Sequence, residues 1–166
     1  MTKTILITGS TDGIGLATAK ALYSQGHRVI LHGRNSEKLE AAKKALSESI
    51  GDGSVEGYLA DLSSMDSVED LAQAIAANHS RIDVVINNAG VLRSPETFAP
   101  EGLDIRFAVN TFAPCLLTQR LLPLLGDDAR VIDLSSAAQS PVNLDALVGK
   151  SEVPEQLNAY AQSKLA

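Results

Sequence analysis

A chain of 166 residues, 45% of them apolar, fits a single domain over 1–166 and is long enough to bury a real core. Its formal charge of −6 argues against nucleic acid or an anionic membrane surface as a partner. No run approaches membrane-spanning length, and Met1-Thr2-Lys3 leads directly into an apolar run with no signal peptide, so a cytoplasmic location is expected.

The first apolar run is Thr4-Ile5-Leu6-Ile7. It passes into Thr8-Gly9-Ser10-Thr11-Asp12-Gly13-Ile14-Gly15 and then into Ile14, Ala17, Thr18, Ala21 and Leu22 at helical spacing. This is a glycine turn joining a buried strand to an amphipathic helix. Such a turn lets backbone approach a pyrophosphate, and the helix N-terminus supplies unpaired N–H groups and a positive dipole end. A glycine-rich turn alone is often only a turn; the strand before it and the helix after it favour the dinucleotide reading.

After Gly26, a helix stop, Arg28-Val29-Ile30-Leu31-His32-Gly33 reads as a second strand. Residues 36–50 predict a helix capped by Ser36, with Glu37, Glu40, Lys43 and Lys44 on the wet side. A third strand fits Val55 to Ala60, a helix about 66–78, and a fourth strand Ile82-Asp83-Val84-Val85-Ile86-Asn87. A long helix follows over about 103–125, with Pro114 as a kinking insertion, then a fifth strand Arg130-Val131-Ile132-Asp133-Leu134-Ser135. The single cysteine, Cys115, excludes an internal disulfide, fits a reducing compartment and is expected to be a small buried apolar residue. His27, His32 and His79 stand isolated near element ends, with no second ligand at metal-like spacing, so no metal site is expected.

Continuous apolar strands separated by helices predict an α/β fold, a parallel sheet covered on both faces. Right-handed crossovers then make a doubly wound, Rossmann-type order the natural topology. Ligands of such sheets bind beyond the strand carboxyl ends, where Gly9, Arg34, Asp61, Asn88 and Ser136 all fall.

The chain closes on Asn158-Ala159-Tyr160-Ala161-Gln162-Ser163-Lys164, a tyrosine and a lysine four apart at the start of a helix and so on one face. An ammonium about 5 Å from a phenol, at an effective dielectric near 20, favours the phenolate by roughly 3 kcal/mol. That brings a tyrosine toward working pH. Tyr-x-x-x-Lys by itself is equally a surface helix face.

Taken together, these motifs resemble the short-chain dehydrogenase/reductase family, in the branch with a Gly-x-x-x-Gly-x-Gly turn, over essentially the whole chain. Thr8-Gly9-x-x-x-Gly13-x-Gly15 matches the family's pyrophosphate turn, and Asn87-Asn88-Ala89-Gly90 its fourth-strand motif. Asn110, Ser136, Tyr160 and Lys164 resemble its catalytic four. The resemblance implies that Tyr160 is the acid or base for the reacting oxygen, while Lys164 depresses its pKa and binds the nicotinamide ribose. Ser136 would donate to the substrate oxygen. Asn110 would open its helix locally and hold a relay water, an exposed helix asparagine being the plain alternative. Which of Ser135 and Ser136 acts rests on the resemblance, which favours the second.

The same resemblance assigns cofactor contacts to Gly9, Ser10, Thr11, Asp12, Gly13, Ile14 and Gly15 of the turn, and to Tyr160 and Lys164. Asp61, beside Leu62, would meet the adenine edge, or simply cap a helix. Asn88, Ala89 and Gly90 would wall the adenosine half, mostly through backbone. An acidic residue ending the second strand would bind the ribose hydroxyls of NAD and repel a 2′-phosphate. Gly33-Arg34-Asn35 stands there instead. Arginine suits phosphate through its fixed fork of donors, although it can also be a solvated loop residue. Asp12 counts against this, since NADP-type members often have a basic residue there. NADP(H) is expected over NAD(H), with Arg34 and Asn35 among its contacts.

Between Ser136 and Tyr160 the stretch from Gln139 to Lys150 reads as an inserted flap, of a kind found in members resembling retinol dehydrogenases, and points to a bulky or apolar substrate. The family continues beyond Lys164 with more helix, two strands and a substrate loop. The sheet is therefore expected to be C-terminally incomplete, part of a longer oxidoreductase and inactive alone, with one edge open. The leading expectation is an NAD(P)-dependent oxidoreductase interconverting an alcohol and a ketone or aldehyde. The alternative is a non-catalytic NADPH-binding regulatory or scaffolding module. The small-molecule substrate stays unassigned. The resemblance also implies a possible homo-oligomer through the helix at about 103–125 and the helix begun at Tyr160, with which Phe107, Phe112, Leu116, Leu117 and Leu121 are compatible, as is burial of those residues against the sheet.

Overall fold

A computed structural model describes residues 1–166. Its centre is a sheet of five parallel strands, β1 (Thr4–Ile7), β2 (Arg28–Gly33), β3 (Ser54–Leu59), β4 (Ile82–Asn87) and β5 (Leu125–Asp133), in the order β3-β2-β1-β4-β5. The chain winds outward one way from β1 to β3 and then crosses to β4, which makes the ends of β1 and β4 the switch point of a doubly wound sheet. Leu6 sits level with Ile30 and Val85, and Ile7 with Leu31 and Ile86.

Both faces of the central strands are covered, which is why they read as unbroken apolar runs. Ile5, Ile7, Val29 and Leu31 pack with Ala19 and Tyr23 of α1 (Gly13–Ser24) and with Leu39, Ala42 and Leu46 of α2 (Ser36–Ser47). Leu6, Ile30 and Val85 pack with Val68, Leu71 and Ile75 of α3 (Met65–Asn78) on the other face.

The rotation of α1 differs from the expected one. Gly15, Ala19 and Tyr23 face the sheet, while Ile14 is 70% exposed. Close backbone packing sets this rotation: a Cβ on Gly15 would lie 2.4 Å from the Gly9 carbonyl oxygen. Nor does Ser36 cap α2. The Asn35 Oδ1 does so, accepting from the Lys38 N–H at 2.9 Å, because Asn35 is the residue with extended backbone ahead of the first turn. That helix ends at Ser47 rather than at residue 50.

The long helix expected at 103–125 is a composite. It comprises α4 (Ile105–Phe107), a π-helical turn (Ala108–Phe112), α5 (Ala113–Leu121) and a 3₁₀ turn (Leu122–Leu124). Pro114 has no N–H and would crowd the carbonyl four residues back, that of Asn110. The wider turn immediately upstream absorbs both problems. Ala113, Leu117 and Leu121 form the buried stripe of α5 and pack with α3 and the sheet, which accounts for much of the apolar surplus of this segment. Cys115 lies off that stripe and is exposed, contrary to expectation.

At the head of α4, the buried Arg106 pairs with Asp104 at 3.0 Å, while its Nε and Nη1 have no partner. The fifth strand pairs with β4 through Asp133 rather than Ser135, with a register break between Ile82 and Val84. Its residues Val131 and Ile132 stay 40% and 44% exposed.

After β5 the chain forms the short α6 (Leu144–Leu147) and then α7 (Gln156–Ser163). The stretch expected to be a flap is docked instead. Its Asn143 N–H donates to the Gln162 Oε1 at 2.9 Å, and its Ser140 N–H to the Ala161 carbonyl at 3.3 Å. Ala146 and Val153 bury themselves beside Phe107 of α4 and Ala159 of α7.

Candidate functional site

The glycine turn follows β1 at the switch point. Gly9 (φ +61°) and Gly13 (φ +52°) occupy the left-handed region that other residues enter only with strain. A Cβ on Gly9 would come within 2.8 Å of Ala89 Cα, so this glycine also permits the close approach of the turn to the end of β4. The Thr8 Oγ1 accepts from the N–H groups of Asn88 (3.1 Å) and Ala89 (3.0 Å). In return the Asn88 Nδ2 donates to the carbonyls of Thr8 (2.8 Å) and Gly9 (2.9 Å). The side chain of Asn88 is therefore a brace for the turn.

Asp12 caps α1, its Oδ1 accepting from the Gly13 N–H at 2.8 Å, and its Oδ2 lies 3.6 Å from the Lys38 Nζ. Ser10 is fully buried, its hydroxyl accepting from the His32 N–H at 2.9 Å. At the head of α1 the N–H groups of Ile14 and Gly15 have no acceptor within the chain. These are donors an anion can use.

A cleft of about 270 Å³ opens beyond the strand ends. Its walls include Gly9, Thr11, Arg34, Asp61, Leu62, Asn88, Ala89 and Gly90 among the residues expected to hold a cofactor, together with His32, Gly33, Ala60, Val91, Ile105 and Val109. Ser10, Asp12, Gly13, Ile14, Gly15 and Asn35 belong to the same turn and helix starts without forming its walls. Arg34 is exposed at the end of β2 and pairs with no carboxylate. The Asp61 Oδ1 accepts from the Ser63 N–H (2.9 Å) and hydroxyl (2.8 Å); the cap of α3 is Ser64.

On the far side of this cleft, Asn110 lies in the π-helical turn. Its Oδ1 accepts from the Val91 N–H at 2.8 Å, and its Nδ2 donates to the Val91 carbonyl (3.0 Å) and the Ser163 hydroxyl (2.9 Å). A Cβ on Gly90 would stand 3.4 Å from both the Asn110 Oδ1 and the Lys164 Nζ. The end of the β4 loop, the asparagine and the lysine thus meet at one place.

Lys164 is the C-cap of α7, one turn after Tyr160, and its Nζ donates to the Leu134 carbonyl at 2.7 Å. Tyr160 stands in the second turn of that helix rather than at its start, half-buried, with no partner for its hydroxyl within the chain. The Ser136 Oγ accepts from the Ala138 N–H at 3.1 Å and keeps its own proton to donate. The neighbouring Ser135 hydroxyl accepts from the Gln139 Nε2 at 2.9 Å and faces the Lys164 carbonyl at 3.5 Å.

One participant was not expected. His32 looked like an isolated histidine near a strand end, yet its ring joins the glycine turn to the end of β3. The Nδ1 lies 3.1 Å from the Gly9 nitrogen and the Nε2 3.1 Å from the Ala60 oxygen. The available signal was its place in Val29-Ile30-Leu31-His32, a polar ring closing an otherwise aliphatic strand two residues before Arg34. Burial lowers its pKa to about 4, against the opposing effects of the Ala60 hydrogen bond and the Asp61 charge.

A crevice at the switch point, glycines where no Cβ fits and free helix N–H groups make the kind of concave site at which doubly wound sheets hold ligands, and Asn110 and Lys164 border it at Gly90. Comparison with known proteins agrees. The family profile described as short chain dehydrogenase matches residues 3–166, and the chain belongs to this family. Retinol dehydrogenase 13 of Homo sapiens is 38% identical over 168 residues, covering 99% of this chain and 51% of that protein. A crystal structure of an uncharacterized protein from Mycobacterium Paratuberculosis superposes with a TM-score of 0.85 at 35% identity, covering 98% of this chain and 57% of the other. A metagenomic short-chain oxidoreductase solved in complex with NADP gives a TM-score of 0.71 at 31% identity, covering 98% and 71%. The chain spans about half the length of the curated relatives it matches. No helix in it is long and apolar enough to cross a membrane.

Proposed function

We propose that the protein carrying this chain is an oxidoreductase that interconverts an alcohol and a ketone or aldehyde, with NADP(H) preferred over NAD(H). The observation that carries this reading is the junction at Gly90, where the wall of the cleft containing Gly9 and Arg34 runs directly into Asn110 and Lys164. A dinucleotide in that cleft would end where the proton-transfer group begins.

The residues present fit such a cofactor. The turn leaves no room for a Cβ at Gly9 or Gly15, and the Ile14 and Gly15 N–H groups suit a pyrophosphate. Arg34, with no carboxylate of its own, suits a 2′-phosphate, and Lys38 offsets the charge of Asp12. When bound, the nicotinamide supplies hydride chemistry. The Tyr160 hydroxyl, free of partners within the chain, exchanges the proton on the substrate oxygen. Ser136 donates to that oxygen, a role open to it because its proton has no acceptor within the chain, whereas the Ser135 hydroxyl donates to the Lys164 carbonyl at 3.5 Å. Lys164 and Asn110 hold the tyrosine helix against the cleft. The likeness to a retinol dehydrogenase supports an apolar alcohol or carbonyl as the substrate class.

The test is fluorescence titration of the intact protein with NADPH and NADH, alongside Arg34→Ala and Tyr160→Phe. The expected result is NADPH binding that weakens in Arg34→Ala, and a Tyr160→Phe protein that binds normally but turns over no carbonyl. Unchanged NADPH affinity in Arg34→Ala removes the cofactor preference. Wild-type binding without turnover on a broad carbonyl and alcohol panel moves the reading to a nucleotide-binding module.

A further inference from the structure

At the floor of the nucleotide cleft, between its two walls, sits a side chain committed to backbone on both sides. His32 is 3% exposed, and its two ring nitrogens have different partners. The Gly9 N–H can only donate, so the Nδ1 must present a lone pair; the Ala60 carbonyl can only accept, so the Nε2 must carry the proton. These two contacts select one neutral tautomer. An imidazolium would have no lone pair left for Gly9. The backbone of the same residue holds the turn again, the Ser10 N–H donating to the His32 carbonyl at 2.9 Å and the His32 N–H to the Ser10 Oγ at 2.9 Å.

We propose that His32 is a positioning residue of the nucleotide site, one ring that fixes the glycine turn through Gly9 and the Asp61 wall through Ala60. This rests on the dinucleotide reading above. The Gly9 N–H is turned inward onto the ring, so the turn offers a phosphate its later donors only. Without the ring acceptor, this half-buried N–H is left to find water or to swing toward the cleft, and either changes the aim of the turn. The Ala60 carbonyl precedes Asp61 directly, so the opposite wall is set against the same ring.

Two variants separate the two bonds. An asparagine Oδ1 takes the place of the ring Nδ1 and keeps the Gly9 contact; a glutamine amide reaches toward the Nε2 position and keeps the Ala60 contact. NADPH affinity of the intact protein is to be measured for wild type, His32→Asn, His32→Gln and His32→Ala, with thermal unfolding in parallel and imidazole ¹⁵N shifts on the wild type. Losing the half-buried hydrogen bond at Gly9 should weaken NADPH binding about tenfold in His32→Gln and His32→Ala at an unchanged folded fraction, with His32→Asn restoring most of it. The ring should show a bare Nδ1 and a protonated Nε2, without titrating between neutral pH and pH 6. Equal weakening by asparagine and glutamine, affinities that follow only the folded fraction, or a ring that titrates like an exposed histidine would each overturn the proposal. A wild type that binds neither NADPH nor NADH overturns the dinucleotide reading, and this proposal with it. Normal wild-type binding that none of the three variants alters overturns the positioning role alone.

Discussion

The Asn110 Nδ2 donates to the Ser163 hydroxyl at 2.9 Å, joining the π-helical turn to the last turn of α7 across 53 residues of chain. Ser163 in turn donates to the Tyr160 carbonyl at 2.8 Å, and its own carbonyl accepts from the Thr111 hydroxyl at 2.9 Å. Two consecutive side chains of the π-helical turn, Asn110 and Thr111, thus both reach the helix that carries Tyr160.

Asn110→Ala strips the acceptor from the Val91 N–H as well as the partner from Ser163. The expected loss is about 1–3 kcal/mol of stability, whereas Ser163→Ala costs about 1 kcal/mol. Urea unfolding of both singles and the double should show a coupling near 1 kcal/mol; strict additivity would mean that the tie between the turn and α7 contributes nothing.

Gly15→Ala and Gly13→Ala should fail differently. At Gly15 the new methyl lies 2.4 Å from the Gly9 oxygen and 2.5 Å from the Asn88 Nδ2, so backbone must move, at a cost of about 1–3 kcal/mol together with loss of NADPH binding. At Gly13 the space is open, and only the φ of +52° resists, for about 1–2 kcal/mol. Parallel unfolding and binding measurements check the contrast. A Gly15→Ala protein with full affinity would show that the turn tolerates the shift.

His32 makes stability depend on pH in a defined direction. Its pKa falls from 6.5 in the unfolded chain to about 4 in the fold, so between those values the unfolded state takes up a proton that the native state refuses. The contribution is complete above pH 6.5 and declines as the pH falls, by on the order of 3 kcal/mol once the pH passes below the folded value. Urea unfolding across pH 7 to 4 should show a shallower decline in His32→Asn than in wild type. Parallel curves would mean that the ring is not held neutral.

The Arg106–Asp104 pair is buried, and two guanidinium donors are unmatched. Asp104→Ala leaves that charge alone and also removes the acceptor for the Arg106 N–H, with an expected loss of about 3–5 kcal/mol. The double variant Asp104→Asn/Arg106→Met removes both charges and keeps an acceptor for the N–H of residue 106, so it should fall within about 1 kcal/mol of wild type or stabilise it. A large loss in the double variant would show that the pair is a net contributor to the fold.

Gln162→Leu should loosen the inserted stretch without touching the cleft. It leaves the Asn143 N–H without its acceptor, for about 1 kcal/mol, and cleavage within 139–155 by a trace protease should accelerate. An unchanged cleavage rate would mean that the Ser140 bonds and the buried Ala146 and Val153 suffice to anchor the stretch.

Much of this fold was readable from residue order. Strands β1, β2 and β4 lie where their aliphatic runs are, because in a sheet covered on both faces burial and chain position coincide. The glycine turn was legible for a related reason, since its backbone demands particular residues at Gly9 and Gly13. What was not legible depends on packing across distance. Periodicity placed Ile14 inward, but the contact of Gly15 with Gly9 turns α1 by a residue. A π-helical turn preserves apolar spacing well enough to pass for plain helix, so it was marked only by Pro114 and by the family resemblance, which has Asn110 open its helix locally. The docking of the insertion depends on Asn143 meeting Gln162, a polar pairing that no local pattern announces. His32 escaped because one histidine in a strand has many ordinary explanations, and only its two partners, 23 and 28 residues away, distinguish it.

The junction at Gly90 and Val91 is narrow. On one side stand the cleft walls that we propose hold a nucleotide, on the other the residues we propose face a reacting oxygen, and the Asn110 side chain grips that loop through Val91. Two traits that meet through so few atoms can be selected apart. On that proposal a lineage can change its coenzyme by exchanging residues around Arg34, or its chemistry around Ser136, and leave the other trait as inherited.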